Sequence, residues 1–380
     1  MKNNPFILIA WLLCLSIYGH GFDNKPVPNK YKKIQKYLDQ ATSKKLAGVS
    51  IYIRNPKYGG EWMATSGYAN IEKKQVLQLD HLFSLASIGK MYNAVAVMKL
   101  IEEGRIQLDN KISNYLSSEI IDNLPNAKKI TIRHLLGHKS GLFNYENDPE
   151  LVELYISGQL KLDTLSHINA LRRYVFGKNA ICLPGVAYHY SSTNYMLLAM
   201  IIDKVVPEGH TVFLRKLIST YGFTNTYYRQ TPPHKNVNYY GDLNQDNNAE
   251  NLTLQTIETT NWFMGDDGVY ASIKDAAHFL EDLMNGKILS QQSLQEMKTW
   301  NHNKKPDYGL GLMADKSFPY GFLIGHSGRG IGTTTDLYFF PKQNITIAIL
   351  CNTGMRASAP SFKKIYLRMR TRIVKKLFLF

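Results

Sequence analysis

The sequence predicts an α+β protein, an antiparallel sheet built from both ends of the chain and flanked by terminal helices, with a mainly helical segment inserted between. Three observations predict it. Residues 49–53 alternate as a half-buried strand, and residues 62–68, after Gly59-Gly60, supply its hairpin partner. From Ser87 to about Trp262, helix-like segments alternate with loops rich in Pro, Gly and Asn. Strand-like runs return at 321–325, 333–340 and 344–350, separated by turns. The reading assigns 22–103 and 263–380 to a sheet domain and 104–262 to a mainly helical domain.

Taken in order, the chain opens with Met1-Lys2-Asn3-Asn4 and an apolar, uncharged run over 5–18, closed by Gly19-His20-Gly21. This pattern predicts a secretory signal peptide over 1–21, and therefore export to a periplasmic or extracellular space. Retention of the segment as an uncleaved anchor is the alternative, since no charge appears from Asn3 to Phe22. Leu13 before Cys14, where lipoprotein signals carry a small residue, argues against a lipid anchor. Next, residues 29–45 place Ile34, Leu38 and Ala41 at helical spacing among lysines, and Gly48 ends that helix. At the other end, residues 362–380 set Tyr366, Met369, Ile373, Leu377 and Phe380 at helical intervals between seven basic residues. A helix covering one face of the sheet needs this stripe, and so does a helix lying on a membrane; the sequence favours the former.

The 380 residues are 44% hydrophobic, enough for a sizeable core, and 45 Lys and Arg against 30 Asp and Glu give a net charge of +15. Loss of 1–21 removes one lysine from that total. A basic exported chain favours cell-wall polymers, other anionic envelope surfaces or carboxylate substrates; nucleic acid is the weaker reading and is not expected as a partner, because no recognition motif accompanies the charge. No protein partner is expected. Cys182 and Cys351, the two cysteines outside 1–21, lie in apolar settings and are expected to be buried free thiols.

The chemistry starts at Ser87-Ile88-Gly89-Lys90, an S-x-x-K where an extended approach, Leu82-Phe83-Ser84-Leu85, meets a helix running to Glu103. Positions i and i+3 share a helix face, so the Lys90 amine reaches the Ser87 hydroxyl while the helix N-terminus offers free N–H groups. A desolvated lysine near a second cation is expected to have a lowered pKa and to act as a base.

Ser87 to Lys90 with its approach, then Gly104-Arg105-Ile106-Gln107-Leu108-Asp109, residues 130–142, Tyr190-Ser191-Ser192-Thr193-Asn194-Tyr195, residues 265–272 and Gly325-His326-Ser327-Gly328 follow one another in order. Together these motifs resemble the class C β-lactamase and D-alanyl-D-alanine carboxypeptidase family of penicillin-recognising serine hydrolases. The resemblance implies the β-lactamase/transpeptidase-like fold, with the active site in the groove between sheet and helical domain, and no metal or organic cofactor. It implies Ser87 as nucleophile, Lys90 as its activator and Tyr190, the tyrosine of the Y-x-N element, as proton relay. Ser192 stands where many relatives have Asn, leaving a shorter hydroxyl for the substrate carbonyl. His326-Ser327-Gly328 stands where β-lactamases have K-T-G, and a mostly neutral histidine attracts a substrate carboxylate less than lysine does. By the family pattern the oxyanion donors are the backbone N–H groups of Ser87 and Arg329, the latter following Gly328. The Arg329 guanidinium is expected either to bind a carboxylate or to point to solvent.

Other patterns are weaker. Ser327 imitates a G-x-S-x-G serine, but on a strand and with Arg329 in the last glycine position. His134 and His138 have zinc-like spacing without a Glu beside His134 or a third ligand, which favours loop bonding. Asp266-Asp267 reads as an ordinary turn at the pocket rim. The sequence therefore predicts acyl transfer through Ser87 on cell-wall peptides ending in D-amino acids or on small esters. A true β-lactamase and a non-catalytic penicillin-binding sensor are the alternatives.

Overall fold

The computed structural model describes residues 29–378 except 59, 158, 160–165 and 302–306; the expected signal segment 1–21 and Phe380 lie outside the described residues. An eight-stranded antiparallel sheet runs in the order Gln75–Val76, Gly60–Asn70, Gly48–Asn55, Ile345–Cys351, Thr334–Phe340, Leu323–Arg329, Met313–Asp315 and Asp307–Tyr308. The join between the two ends of the chain is the pairing of Val49 with Cys351 through Arg54 with Thr346.

Strand Gly48–Asn55 is buried on both faces, because the sheet is covered on both. On one face Val49, Ile51 and Ile53 pack with Tyr31, Ile34 and Leu38 of the helix Asn29–Thr42 and with Phe362, Tyr366, Met369 and Ile373 of the helix Pro360–Phe378. Each large apolar side chain withdrawn from water there contributes about 1.5–3 kcal/mol. The stripe of the C-terminal helix is thus spent on the sheet. On the other face Tyr52, Leu350 and Ala348 join the helix Ile273–Met284 and the large core of the inserted segment. At the centre of that core lies Ser192–Val205, a helix whose residues from Ser192 to Ala199 are all buried.

A three-stranded sheet, Phe83–Ser84, Val269–Ala271 and Thr226–Tyr228, was not visible in the sequence, since strands of two or three residues carry no periodicity. It delivers the chain to Ser87. Cys351 is buried and Cys182 half-exposed, which corrects the expectation of two buried thiols.

Candidate active site

Ser87 belongs to the 3-10 turn Ala86–Ile88, and the helix itself begins at Gly89 and ends at Glu102. The turn is held from several sides. Leu85 N–H donates to Val269 O (2.9 Å), Thr333 Oγ1 to Ser84 O (2.9 Å) and Thr335 Oγ1 to Leu85 O (2.9 Å). Such bracing sustains Ala86 at φ 48°, a left-handed conformation that a non-glycine residue adopts only under constraint. Ser87 is half-exposed in an otherwise buried run, so its hydroxyl faces the groove. Lys90, fully buried, donates from Nζ to Ser87 Oγ at 3.2 Å. The Tyr190 phenol is buried beside them, with Lys90 Nζ 5.1 Å from its ring centroid, close enough for Ser87 and Lys90 both to act on its proton.

Residues 266 and 267, expected to form an ordinary rim turn, instead press against the catalytic helix. A Cβ on Gly89 would meet the Asp267 backbone at 3.1–3.2 Å, so glycine at 89 permits the approach. Asp266 O accepts from Lys90 Nζ at 3.2 Å, and Asp266 Oδ2 lies 3.8 Å from the same nitrogen. Burial alone would lower the lysine pKa; Tyr190, Asp266 and Glu146 outweigh it and push Lys90 up to about 12. The expected lowered lysine is therefore corrected: its neighbours Asp266, Glu146 and Tyr190 are acidic groups, and among the described residues no second cation weighs on its proton. Asp266 responds in reverse, with burial pushing it up to about 7 against the pull of Lys90. Tyr190 is also raised, by burial, against the opposing charge of Lys90.

Glu146 closes the cluster, accepting from Ser192 Oγ (3.0 Å) and Arg356 (2.9 Å). Burial raises its pKa, but Arg356 and Lys90 prevail and hold it low. Beside this pair, Leu151, Val152, Tyr155, Phe263 and Ile331 line an apolar cavity of about 140 Å³.

This serine, lysine and tyrosine, on an antiparallel sheet closed by both chain ends, agree with the sequence profile of the β-lactamase family, which matches residues 33–365. The chain belongs to the β-lactamase family. It is similar to penicillin-binding protein 4* of Bacillus subtilis (strain 168), 27% identical over 305 residues that cover 75% of this chain and 64% of that one. The match thus spans less than two thirds of that relative. The D-amino acid amidase from Ochrobactrum anthropi SV3, solved with D-phenylalanine, shares the fold with a TM-score of 0.77 at 22% identity, covering 92% of this chain and 99% of that one. A D-stereospecific amidohydrolase from Streptomyces sp. does so with 0.75 at 23%, covering 87% and 95%. The protein thus has the β-lactamase fold, resembles a penicillin-binding protein in sequence, and shares its fold with the two D-specific enzymes.

Several positions depart from the family pattern, and the structure says how. His326 is fully buried, its Nδ1–H donating to Ser327 O (2.8 Å) and its Nε2 accepting from the Tyr308 hydroxyl (3.1 Å). A carbonyl can only accept, which fixes that tautomer. Burial first, then Lys90, pulls its pKa down to about 3, so it carries no charge for a carboxylate. Ser192 is fully buried with its hydroxyl on Glu146, a correction to the expectation that it meets a substrate carbonyl. At Gly328 a Cβ would sit 2.3 Å from Leu85 O and 2.9 Å from Ala86 Cβ; only glycine lets this strand lie against the Ser87 turn.

Arg329 fits neither of its expected roles. Its guanidinium donates to Gly328 O (2.7 Å), Thr335 O (2.6 Å) and Asp336 Oδ1 (2.7 Å), beneath Tyr366 of the C-terminal helix. The side chain is structural, which leaves only its backbone N–H for the oxyanion. His134 caps its own helix, its Nδ1 accepting from Thr131 N–H (3.2 Å), and His138 Nδ1 accepts from Ser191 N–H (3.1 Å). Loop bonding thus occupies Nδ1 of both rings. His138 also packs against Tyr190, with ring centroids 4.3 Å apart and the planes tilted by 32°, and so helps to fix the phenol.

Proposed function

We propose that this chain is an exported hydrolase that forms an acyl-enzyme on Ser87 and acts on peptides containing D-amino acids or on small esters. One observation carries the reading: the hydroxyl of a half-exposed serine lies 3.2 Å from the amine of a buried lysine, with the ring of a tyrosine 5.1 Å from that amine. Lys90 holds its proton tightly, and its ammonium favours the phenolate of Tyr190 against the burial that keeps most of it protonated, so the active base is the minor phenolate form of Tyr190 paired with that ammonium. Ser87 Oγ bonds to the substrate carbonyl carbon as its proton passes to Tyr190. The carbonyl electron pair moves onto oxygen, facing the backbone N–H groups of Ser87 and Arg329. Tyr190 then returns the proton to the leaving nitrogen or oxygen as that bond breaks, and water releases the acyl group by the same route. Each oxyanion donor is worth roughly 3–4 kcal/mol of barrier.

Neutral His326 supports peptides or esters over efficient β-lactam turnover, and the apolar cavity beside Glu146 and Arg356 supports an apolar substrate side chain. The D-configuration is supported by the names of the structural neighbours. Export is supported by the uncharged run from Asn3 to Phe22. Among the described residues no helix is long and apolar enough to cross a membrane. An anionic envelope surface as a further contact is supported by the groove of about 420 Å³ between the terminal helices, where Lys44, Lys364, Arg368 and Arg372 converge.

Intact-protein mass spectrometry tests the reading. After exposure to D-alanyl-D-alanine peptides, p-nitrophenyl esters and nitrocefin, the wild type gains an acyl mass that Ser87→Ala does not. No adduct and no turnover with any of them favours the penicillin-binding sensor; nitrocefin hydrolysed faster than the peptides and esters favours the β-lactamase.

A further inference from the structure

A second cavity, of about 1010 Å³, is lined by none of Ser87, Lys90 and Tyr190. It lies against Tyr228 and Arg229, at the end of the strand Thr226–Tyr228, and against the helix Gly209–Thr220. Ile218, Phe223, Tyr227 and Ile257 give it an apolar and aromatic wall. Into that wall two half-buried guanidinium groups are set, Arg215 and Arg229. Arg215 spends Nε on Tyr228 O (3.0 Å), and neither arginine has a carboxylate partner among the described residues. Elsewhere the largely buried guanidinium groups are paired, Arg329 and Arg370 with Asp336 and Arg356 with Glu146. Two like charges sharing one partly desolvated cavity disfavour each other and attract an anion.

One further detail points to a ligand. Arg229 adopts φ 60°, a strained conformation for a long side chain, held by its N–H donating to Gly268 O at 2.8 Å. We propose that this cavity is a binding site separate from the catalytic groove, for a small amphiphilic anion: a carboxylate or phosphate held by both guanidinium groups, on an apolar or aromatic body packed against Ile218, Phe223, Tyr227 and Ile257.

The site neighbours the groove without belonging to it. Segment 265–268 lies between the two, with Gly265 N–H donating to the Tyr228 hydroxyl (3.2 Å) and Gly89 packed against the Asp267 backbone. Binding is therefore expected to be independent of Ser87.

Isothermal titration of the full chain with phenyl phosphate and with N-acetylphenylalanine tests the proposal and separates the two anion types. The wild type and Ser87→Ala bind at least one probe at one site with equal affinity. Arg215→Gln and Arg229→Gln each weaken that binding about 10- to 100-fold, the worth of one charge-assisted contact. Ser219→Trp, an exposed position on the cavity wall that leaves both arginines in place, also weakens it, which guards against a folding defect at 215 or 229. Arg356→Gln, in the catalytic groove, leaves it unchanged. No binding of either probe to the wild type, binding that survives all three cavity variants, or binding lost in Arg356→Gln would each overturn the site.

Discussion

Two aspartates lie on opposite sides of the protein's large sheet, each 1% exposed, and they hold their protons in opposite ways. Asp336, beneath the C-terminal helix, accepts from Arg329 (2.7 Å) and Tyr338 (3.0 Å) at Oδ1, and from Tyr366 (2.8 Å) and Arg370 (3.1 Å) at Oδ2. Burial would raise its pKa, but two guanidinium groups and the hydrogen bonds reverse this and hold it below the usual carboxylate value. Asp266, beside the catalytic helix, has the Tyr145 hydroxyl at 2.8 Å and the Lys90 ammonium at 3.8 Å, both at Oδ2; Oδ1 has no partner among the described residues. There burial prevails, and the carboxyl is pushed up to about 7. Burial is equal in the two cases, so the number of donors decides. A fully satisfied charge acts as a clamp, whereas a half-satisfied one can exchange a proton near neutrality and belongs to the chemistry.

The largest effect expected from this contrast is on activity. Lys90→Met should lower kcat/KM on an ester or D-peptide about 10²–10⁴-fold, the usual worth of a positioned proton-transfer group. Stability should fall little, because Asp266 can take up a proton once its cation is gone. Hydrolysis assays and thermal unfolding of the same preparation measure both, and a large loss of stability would mean that the lysine is a clamp too. Asp336→Ala reverses the pattern: it strands two guanidinium groups and should cost about 3–5 kcal/mol in urea unfolding. A carboxyl whose folded pKa is lowered stabilises above its unfolded value of 3.8 and loses that contribution as pH falls through the folded value. The stability gap between wild type and Asp336→Ala should therefore be full at neutral pH and shrink in acid.

The sequence revealed the clamp and the chemistry unequally. Ser87 and Lys90 were legible because three residues on a short turn must bring them together whatever the rest of the chain does. The sheet was legible because its long strands carry period-two patterns at both ends of the chain. Asp266, Glu146, Arg356 and Tyr308 were not, since each reaches the site from a distant loop or a strand of two residues. Without the carboxyl groups of Asp266 and Glu146 the lysine was expected to be lowered, when in fact it is raised. Arg329 had a signal that went unused. Alternate residues of a strand share a face, so once His326 points to the groove, Arg329, three residues on, points away from it. Ser192 offered no such sign, because its burial depends on Glu146, 46 residues earlier.

The subtlest test of the contrast exchanges the half-satisfied carboxyl for its neutral likeness. Asp266→Asn keeps an oxygen for the Tyr145 hydroxyl and leaves the backbone carbonyl that receives Lys90 untouched. It removes only charge. A lysine that loses an anionic neighbour binds its proton less tightly, so Lys90 should drop from about 12 and the alkaline limb of kcat/KM against pH, where the ammonium is lost, should move to lower pH. Stability should show the opposite sign to that of Asp336. A carboxyl whose folded pKa is raised makes the folded state the better proton acceptor, so the wild type should lose stability relative to Asp266→Asn as pH rises from 3.8 to about 7. If instead the alkaline limb stays in place while the stability difference behaves as described, Asp266 is a buried charge that the lysine does not feel, and the ammonium of Lys90 is held by Tyr190 and Glu146 alone.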